Sequence, residues 1–132
     1  MDRAGAGSAQ EPDRRHDGRL RVRNRRHGDV EVLALAGELD HDTAGPLRRE
    51  LSRAVGARPA RVVVDCASLG FCDSTGLNVL LHARLEAREA GIRIEISGLR
   101  PPVARMFGIT GADSVFRLYA GLDEALADEP TA

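Results

Sequence analysis

The sequence predicts a single α/β domain with the element order ββαβαβαβα and a mixed, mostly parallel sheet flanked by helices. Two observations carry this. Apolar residues switch along the chain between a period of two and a period near 3.6, the signature of strands alternating with helices. The run Val62-Val63-Val64 is apolar without a break, as in a strand covered on both faces of a parallel sheet. A chain of 132 residues is one domain's worth of sequence. We expect a folded body over residues 19–128, a disordered basic lead-in over 1–18 and a short tail at 129–132.

Each element has its own reason. Arg19 to Arg23 alternates strictly, placing Leu20 and Val22 opposite arginines, and predicts a strand with one solvated face. Arg26-His27-Gly28-Asp29 supplies a turn. Val30 to Ala36 is a second strand, with Val30, Val32 and Ala34 on one face and Leu33 and Leu35 on the other, so the pair forms a hairpin. The loop from Gly37 to Thr43 ends in helix-capping residues. Leu47, Leu51, Ala54 and Val55 form a helical stripe, and Pro46, tolerated only in a first turn, sets the start near Thr43 or Ala44. Arg58-Pro59 ends that helix, and Arg61 to Asp65 is the buried strand. A second helix from Ser74 buries Leu77, Leu80, Leu81 and Leu85 and stops at Gly91 in the C′ position. Ile92, Ile94 and Ile96 alternate as another strand. A short helix opens with Pro101-Pro102 and buries Val103, Met106 and Phe107. Val115 to Leu118 is the last strand, and Leu122, Ala125 and Leu126 belong to a closing helix. Right-handed crossovers join the parallel strands.

Composition narrows the chemistry. Aromatic residues are 3% of the chain, so the core is aliphatic. All 19 basic residues are arginine, which excludes lysine Schiff bases and phosphate-loop lysines. The net charge of −1 conceals an asymmetry. Residues 1–28 carry eight arginines against Asp2, Glu11, Asp13 and Asp17, roughly +4, and the remainder is about −5. A nucleic-acid-binding domain shows the reverse, so no direct DNA binding is expected. Cys66 and Cys72 form no CxxC pair and have no histidine at zinc spacing, so we read them as small buried hydrophobes, without a metal, in a cytoplasmic protein. No window is long and apolar enough for a membrane span, and the first residues lack the apolar stretch of a signal peptide.

Functional side chains concentrate in two loops at the carboxyl ends of predicted strands, where sites form in such folds. One is Leu39-Asp40-His41-Asp42-Thr43; the other is Gly70-Phe71-Cys72-Asp73-Ser74-Thr75-Gly76. The second loop permits two readings. In one, Asp73 or Ser74 is a plain helix cap worth about 1 kcal/mol. In the other, Ser74 accepts a phosphate, whose charge a helix N-terminus tolerates. Enzyme readings fare poorly. A nucleophile elbow needs glycine where Cys72 stands, and His82 lies too far along its helix to act as base to Ser74. A phosphoaspartate at Asp65 would need a lysine. Asp40, Asp42, Asp65 and Asp73 could supply paired carboxylates, but nothing in the sequence makes them converge. His16 and His27 belong to the basic lead-in, and His41 to an exposed loop. The chain therefore reads as a non-enzyme without a cofactor.

Taken together, Gly37-Glu38-Leu39-Asp40-His41-Asp42-Thr43-Ala44, Val62-Val63-Val64-Asp65 and Phe71-Cys72-Asp73-Ser74-Thr75-Gly76-Leu77 resemble the anti-sigma-factor antagonist branch of the STAS domain family. Gly98-Leu99-Arg100-Pro101-Pro102-Val103 and Phe107-Gly108-Ile109-Thr110-Gly111 are similar too, so the resemblance spans about residues 19–128. It implies a switch. The unphosphorylated form binds an anti-sigma factor that is a serine kinase and so frees a sigma factor. Phosphorylation from ATP on Ser74 releases the antagonist, and a metal-dependent serine phosphatase restores it. By the same resemblance Asp40 matches the acidic residue of the kinase-facing loop, Asp73 the residue before the acceptor, and Thr75 and Gly76 the rest of the motif. Asn78 departs from the small glycine that many relatives carry. The alternative is a scaffold of the same fold that does not act on a sigma factor, with Ser74 as a silent cap.

Overall fold

Strand β1 (Leu20–His27) and strand β2 (Val30–Leu39) pair antiparallel from Leu20 opposite Gly37 to His27 opposite Val30, around a turn in which Gly28 takes φ +62°. The computed structural model describes residues 19–128; the predicted lead-in 1–18 and tail 129–132 lie outside the described residues. Both strands outrun their predicted ends. In β1 the apolar alternation stops after Val22, but backbone pairing continues through exposed arginines. Helix α1 (Ala44–Gly56) begins where Pro46 requires and buries Leu47, Leu51 and Ala54. Thr43 stands at its N-cap position without capping it, because its hydroxyl is engaged within the preceding loop.

Strand β3 (Arg61–Cys72) corrects the prediction that the strand ends at Asp65. Irregularities opposite Ala34–Ala36 and Gly37–Glu38 let β3 stay paired with β2 through the exposed Ala67, Ser68 and Gly70, where no apolar pattern marks a strand. Asp65 is therefore a mid-strand residue. Helix α2 (Ser74–Glu89) begins at the predicted residue and closes in a Schellman motif: Gly91, at φ +77°, donates to the Arg88 carbonyl (3.0 Å) and Ile92 to that of Ala87 (2.8 Å). Its buried stripe is Leu77, Leu80, Ala83 and Ala87; Leu81 is half-buried and Leu85 is 53% exposed. Each i, i+4 step leaves a row about 40° further round the helix, so the Leu77–Leu81–Leu85 row drifts into solvent.

Strand β4 (Arg93–Ser97), helix α3 (Pro101–Thr110, with proline at its first two positions), strand β5 (Leu118–Tyr119) and helix α4 (Leu122–Ala127) complete the chain. The predicted strand from Val115 is shorter because a 3₁₀ turn at Ala112–Ser114 feeds Phe116 into the core, against Phe107 at a ring-centroid distance of 6.0 Å. The sheet order is β1-β2-β3-β4-β5, antiparallel only between β1 and β2. One buried cluster packs Leu33, Leu35, Val62, Val64 and Ile96 against residues of α1, α2 and α3. The opposite face holds a smaller one of Val30, Val32, Val63 and Ala125, with Leu122 and Leu126 from α4. There the buried Arg61 pairs with Glu95 (2.6 Å) and donates to the carbonyls of Ala125 (2.7 Å) and Asp128 (2.8 Å), fastening α4 to the sheet. Of the eight arginines among residues 1–28, Arg19, Arg21, Arg23, Arg25 and Arg26 lie at or in β1, so much of the positive charge assigned to the head sits on the sheet edge.

Candidate functional site

Neighbouring parallel strands release their loops side by side, and β2 and β3 do so at the two loops singled out in the sequence. Glu38 lies opposite Phe71 and Leu39 opposite Cys72. The Asp73 amide donates to the Leu39 carbonyl at 3.1 Å, clipping one loop to the other. Gly76 then allows the first turn of α2 to rest on Leu39: a Cβ there would stand 2.4 Å from Leu39 Cγ and 3.1 Å from its carbonyl oxygen. The motif glycine is demanded by that approach.

The acidic loop is built around Asp40. Its Oδ1 accepts from the amides of Asp42 (2.9 Å) and Thr43 (3.2 Å), an Asx-type turn. The buried Thr43 hydroxyl accepts from the Asp40 amide (2.8 Å) and donates to the Glu38 carbonyl (2.9 Å). Arg19 reaches across from the start of the described chain, hydrogen-bonds Asp40 Oδ2 and pairs with Asp42 at 2.9 Å. Burial raises the Asp40 carboxyl, but the Arg19 guanidinium and the two amides outweigh it and hold the pKa below the ordinary aspartate value. His41 and Asp42 are exposed.

At the second loop Asp73 is the cap. Its backbone is extended, and its Oδ1 accepts from the Gly76 amide at 2.9 Å. Ser74 is the first helical residue, is exposed, and its hydroxyl makes no hydrogen bond among the described residues. Thr75 is half-buried behind it, and Phe71, two residues before the cap, is 48% exposed. The result is an exposed hydroxyl and an exposed aromatic ring at the ends of β2 and β3, where the loops also carry Glu38, Asp40, Asp42 and Asp73. Burial, and secondarily the charge of Asp73, pushes the Cys72 thiol up to about 12; burial raises Cys66 further, so neither is a nucleophile at neutral pH.

Asp65 does not join this group. Its Oδ1 accepts from Ser97 Oγ (3.2 Å) and the Ala67 amide (3.3 Å) in mid-sheet. His82 is exposed on α2 and bonds no serine. Among the described residues, no three His, Cys, Asp or Glu side chains gather at metal-binding distance. Arg19 is the candidate-site residue that sequence reasoning missed, while Thr43 and Phe71 stood within the two loops it singled out but were given no role of their own. The Asp40–Thr43 spacing of a side-chain-closed turn could have flagged Thr43, whereas Arg19 lies 21 residues from Asp40 and carries no local signal.

Comparison with known proteins gives the family. A family model described as "Mlab, STAS domain" matches residues 22–122. The anti-sigma F factor antagonist of Paenibacillus polymyxa is 28% identical over 110 residues, covering 83% of this chain and 94% of that one. The anti-sigma-F factor antagonist RsfB of Mycobacterium tuberculosis is 30% identical over 100 residues, covering 76% and 81%. The crystal structure of an anti-sigma factor antagonist from Mycobacterium paratuberculosis superposes with a TM-score of 0.75 at 28% identity, covering 81% of this chain and 91% of that one. With its ββαβαβαβα order, its clipped acidic and Asp-Ser-Thr-Gly loops and these relatives, the chain belongs to the STAS domain family, in its anti-sigma-factor antagonist branch.

Proposed function

We propose that the protein is a phosphorylation-controlled antagonist whose unphosphorylated form binds an anti-sigma serine kinase in the cytoplasm and thereby frees a sigma factor. The observation that carries this reading is the division of labour at the start of α2. Asp73 caps the helix and Ser74 presents an exposed hydroxyl, unbonded among the described residues, beside the Asp40 loop. The kinase transfers the γ-phosphoryl of ATP to Ser74 Oγ, with ADP leaving and the hydroxyl proton lost. The product carries about −1.5 to −2 added charge at a helix N-terminus able to hold it. Asp40, Asp73, Ser74 and Thr75 form the partner-binding surface, and Gly76, itself buried, seats on Leu39 the helix turn that presents Ser74 and Thr75. A kinase surface shaped for a hydroxyl and carboxylates then meets bulk and repulsion, and each tenfold loss of affinity needs only about 1.4 kcal/mol. A serine phosphatase hydrolyses the ester and returns the hydroxyl.

The test is incubation with candidate anti-sigma kinases and ATP, with phosphate mapped by mass spectrometry. The expected result is label on Ser74, absent in Ser74→Ala and retained in Thr75→Ala. Label on Thr75 in Ser74→Ala moves the acceptor. No label with any such kinase favours a scaffold of the same fold.

A further inference from the structure

The sheet face opposite α1–α3 carries a second surface, unconnected with Ser74. Arg21, Arg23 and Arg25 lie opposite Ala36, Ala34 and Val32 in the β1–β2 ladder, so all three side chains stand on that face. They are exposed, and none has an ion-pair or hydrogen-bond partner among the described residues. Their neighbours behave otherwise: Arg19 is bound to Asp40 and Asp42, and Arg26 to Glu31. The three arginines wall a groove of about 500 Å³, floored by Ala34 and Ala36 and bounded on its far side by Ser68, Leu122 and Asp65, whose carboxylate is engaged by Ser97 Oγ and the Ala67 amide. Helix α4 covers Val30, Val32 and Val63 on this face, and the small side chains of Ala34 and Ala36 leave the groove its depth.

We propose that this groove binds an extended acidic peptide segment of a partner protein, with alternate carboxylates facing Arg21, Arg23 and Arg25. Side chains two apart on a strand repeat every ~6.8 Å, and an extended peptide repeats its own alternate side chains at the same interval. Carboxylates at every second position therefore meet one guanidinium each, and arginine can engage each in a two-pronged hydrogen bond. The charge of the rest of the chain selects the partner class. Residues 29–132 carry eleven arginines against sixteen acids, which repels a polyphosphate backbone that must extend past the groove, whereas a short acidic segment fits within the local stripe.

The experiment titrates the full chain with two synthetic peptides of equal charge, about eight residues long. One has glutamate at every second position; the other has the same glutamates in one block. Calorimetry is run at low and high salt, with a single-stranded oligonucleotide as a third ligand. The alternating peptide is expected to bind more tightly than the blocked one, and binding should weaken as salt rises. Changing Arg21, Arg23 and Arg25 together to Ser should weaken it about tenfold or more. Changing the exposed Arg48 and Arg49 on α1 to Ser should leave it unaltered. Because the groove arginines hold no partner among the described residues, Tm serves as the folding control, and Arg23→Glu alone is the milder variant. Ser74→Ala should bind like wild type, which separates this surface from the switch. Equal binding by both peptides, equal loss in the α1 variant, no binding, or preference for the oligonucleotide would overturn the proposal.

Discussion

Asp73 accepts the Gly76 amide at 2.9 Å, and by doing so it relieves Ser74 of any role in starting α2. A residue that caps a helix cannot be modified without cost, while its exposed neighbour can. Asp73→Ala should therefore lower stability by about 0.5–2 kcal/mol. Ser74→Ala should stay within about 0.5 kcal/mol, as for an ordinary surface change. Urea denaturation of both variants checks the ordering, and equal losses would mean that the serine shares the cap.

Gly76→Ala places a methyl into Leu39, which is fully buried and cannot swing aside. The expected cost is about 1–3 kcal/mol, as for overpacked cores. Amide chemical shifts of Asp40 and Asp73 should move together, since the clip between their loops opens. An unchanged Tm would show that the helix has room to shift.

Asp40 titrates below its ordinary value of 3.8, so its contribution to stability is complete at neutral pH and persists down to that value. It is lost as pH falls further, through the lowered folded-state pKa. A carboxyl-carbon NMR titration should give a midpoint below 3.8 in the wild type and a higher one in Arg19→Gln. A midpoint that does not respond to Arg19→Gln would leave the two amides as the sole cause.

The buried Arg61–Glu95 pair predicts strong asymmetry between single and double changes. Arg61→Met removes the buried partner of a carboxylate that is 2% exposed and leaves it to the half-exposed Arg93 (3.2 Å) and the Tyr119 hydroxyl (3.3 Å), so it should cost about 3 kcal/mol, the low end for breaking a buried pair. Adding Glu95→Leu should recover part of that loss, because the carboxylate deprived of Arg61 is gone. Chemical denaturation of the cycle reads it directly, and additive losses would contradict it.

Cys66 and Cys72 should resist iodoacetamide in the native protein near pH 8 and react in urea, because burial keeps both thiols protonated, that of Cys72 being pushed up to about 12. Mass spectrometry counts the adducts, and native labelling of Cys72 would reveal opening of the loop before Ser74.

The sequence by itself determined the order of elements, the start of α1 at its proline, the span of α2 from Ser74 to the glycine that ends it, and the two loops that form the candidate site. These are local properties: periodicity, capping chemistry and backbone permissiveness are written within a turn or two of each residue. Tertiary structure decided the rest. β3 extends to Cys72 because β2 supplies hydrogen bonds that small and polar residues cannot announce. Leu85 faces solvent while Ala87 is buried, because the packing of α1 and β4 against α2 selects its inner face. Asp65 falls outside the site, and Arg19 enters it across 21 residues, because proximity between strands is set by sheet order. Whether Asp73 or Ser74 capped the helix was open on spacing alone, since either side chain could serve; the extended backbone of Asp73 aims its carboxylate at Gly76 and leaves the hydroxyl of Ser74 to solvent.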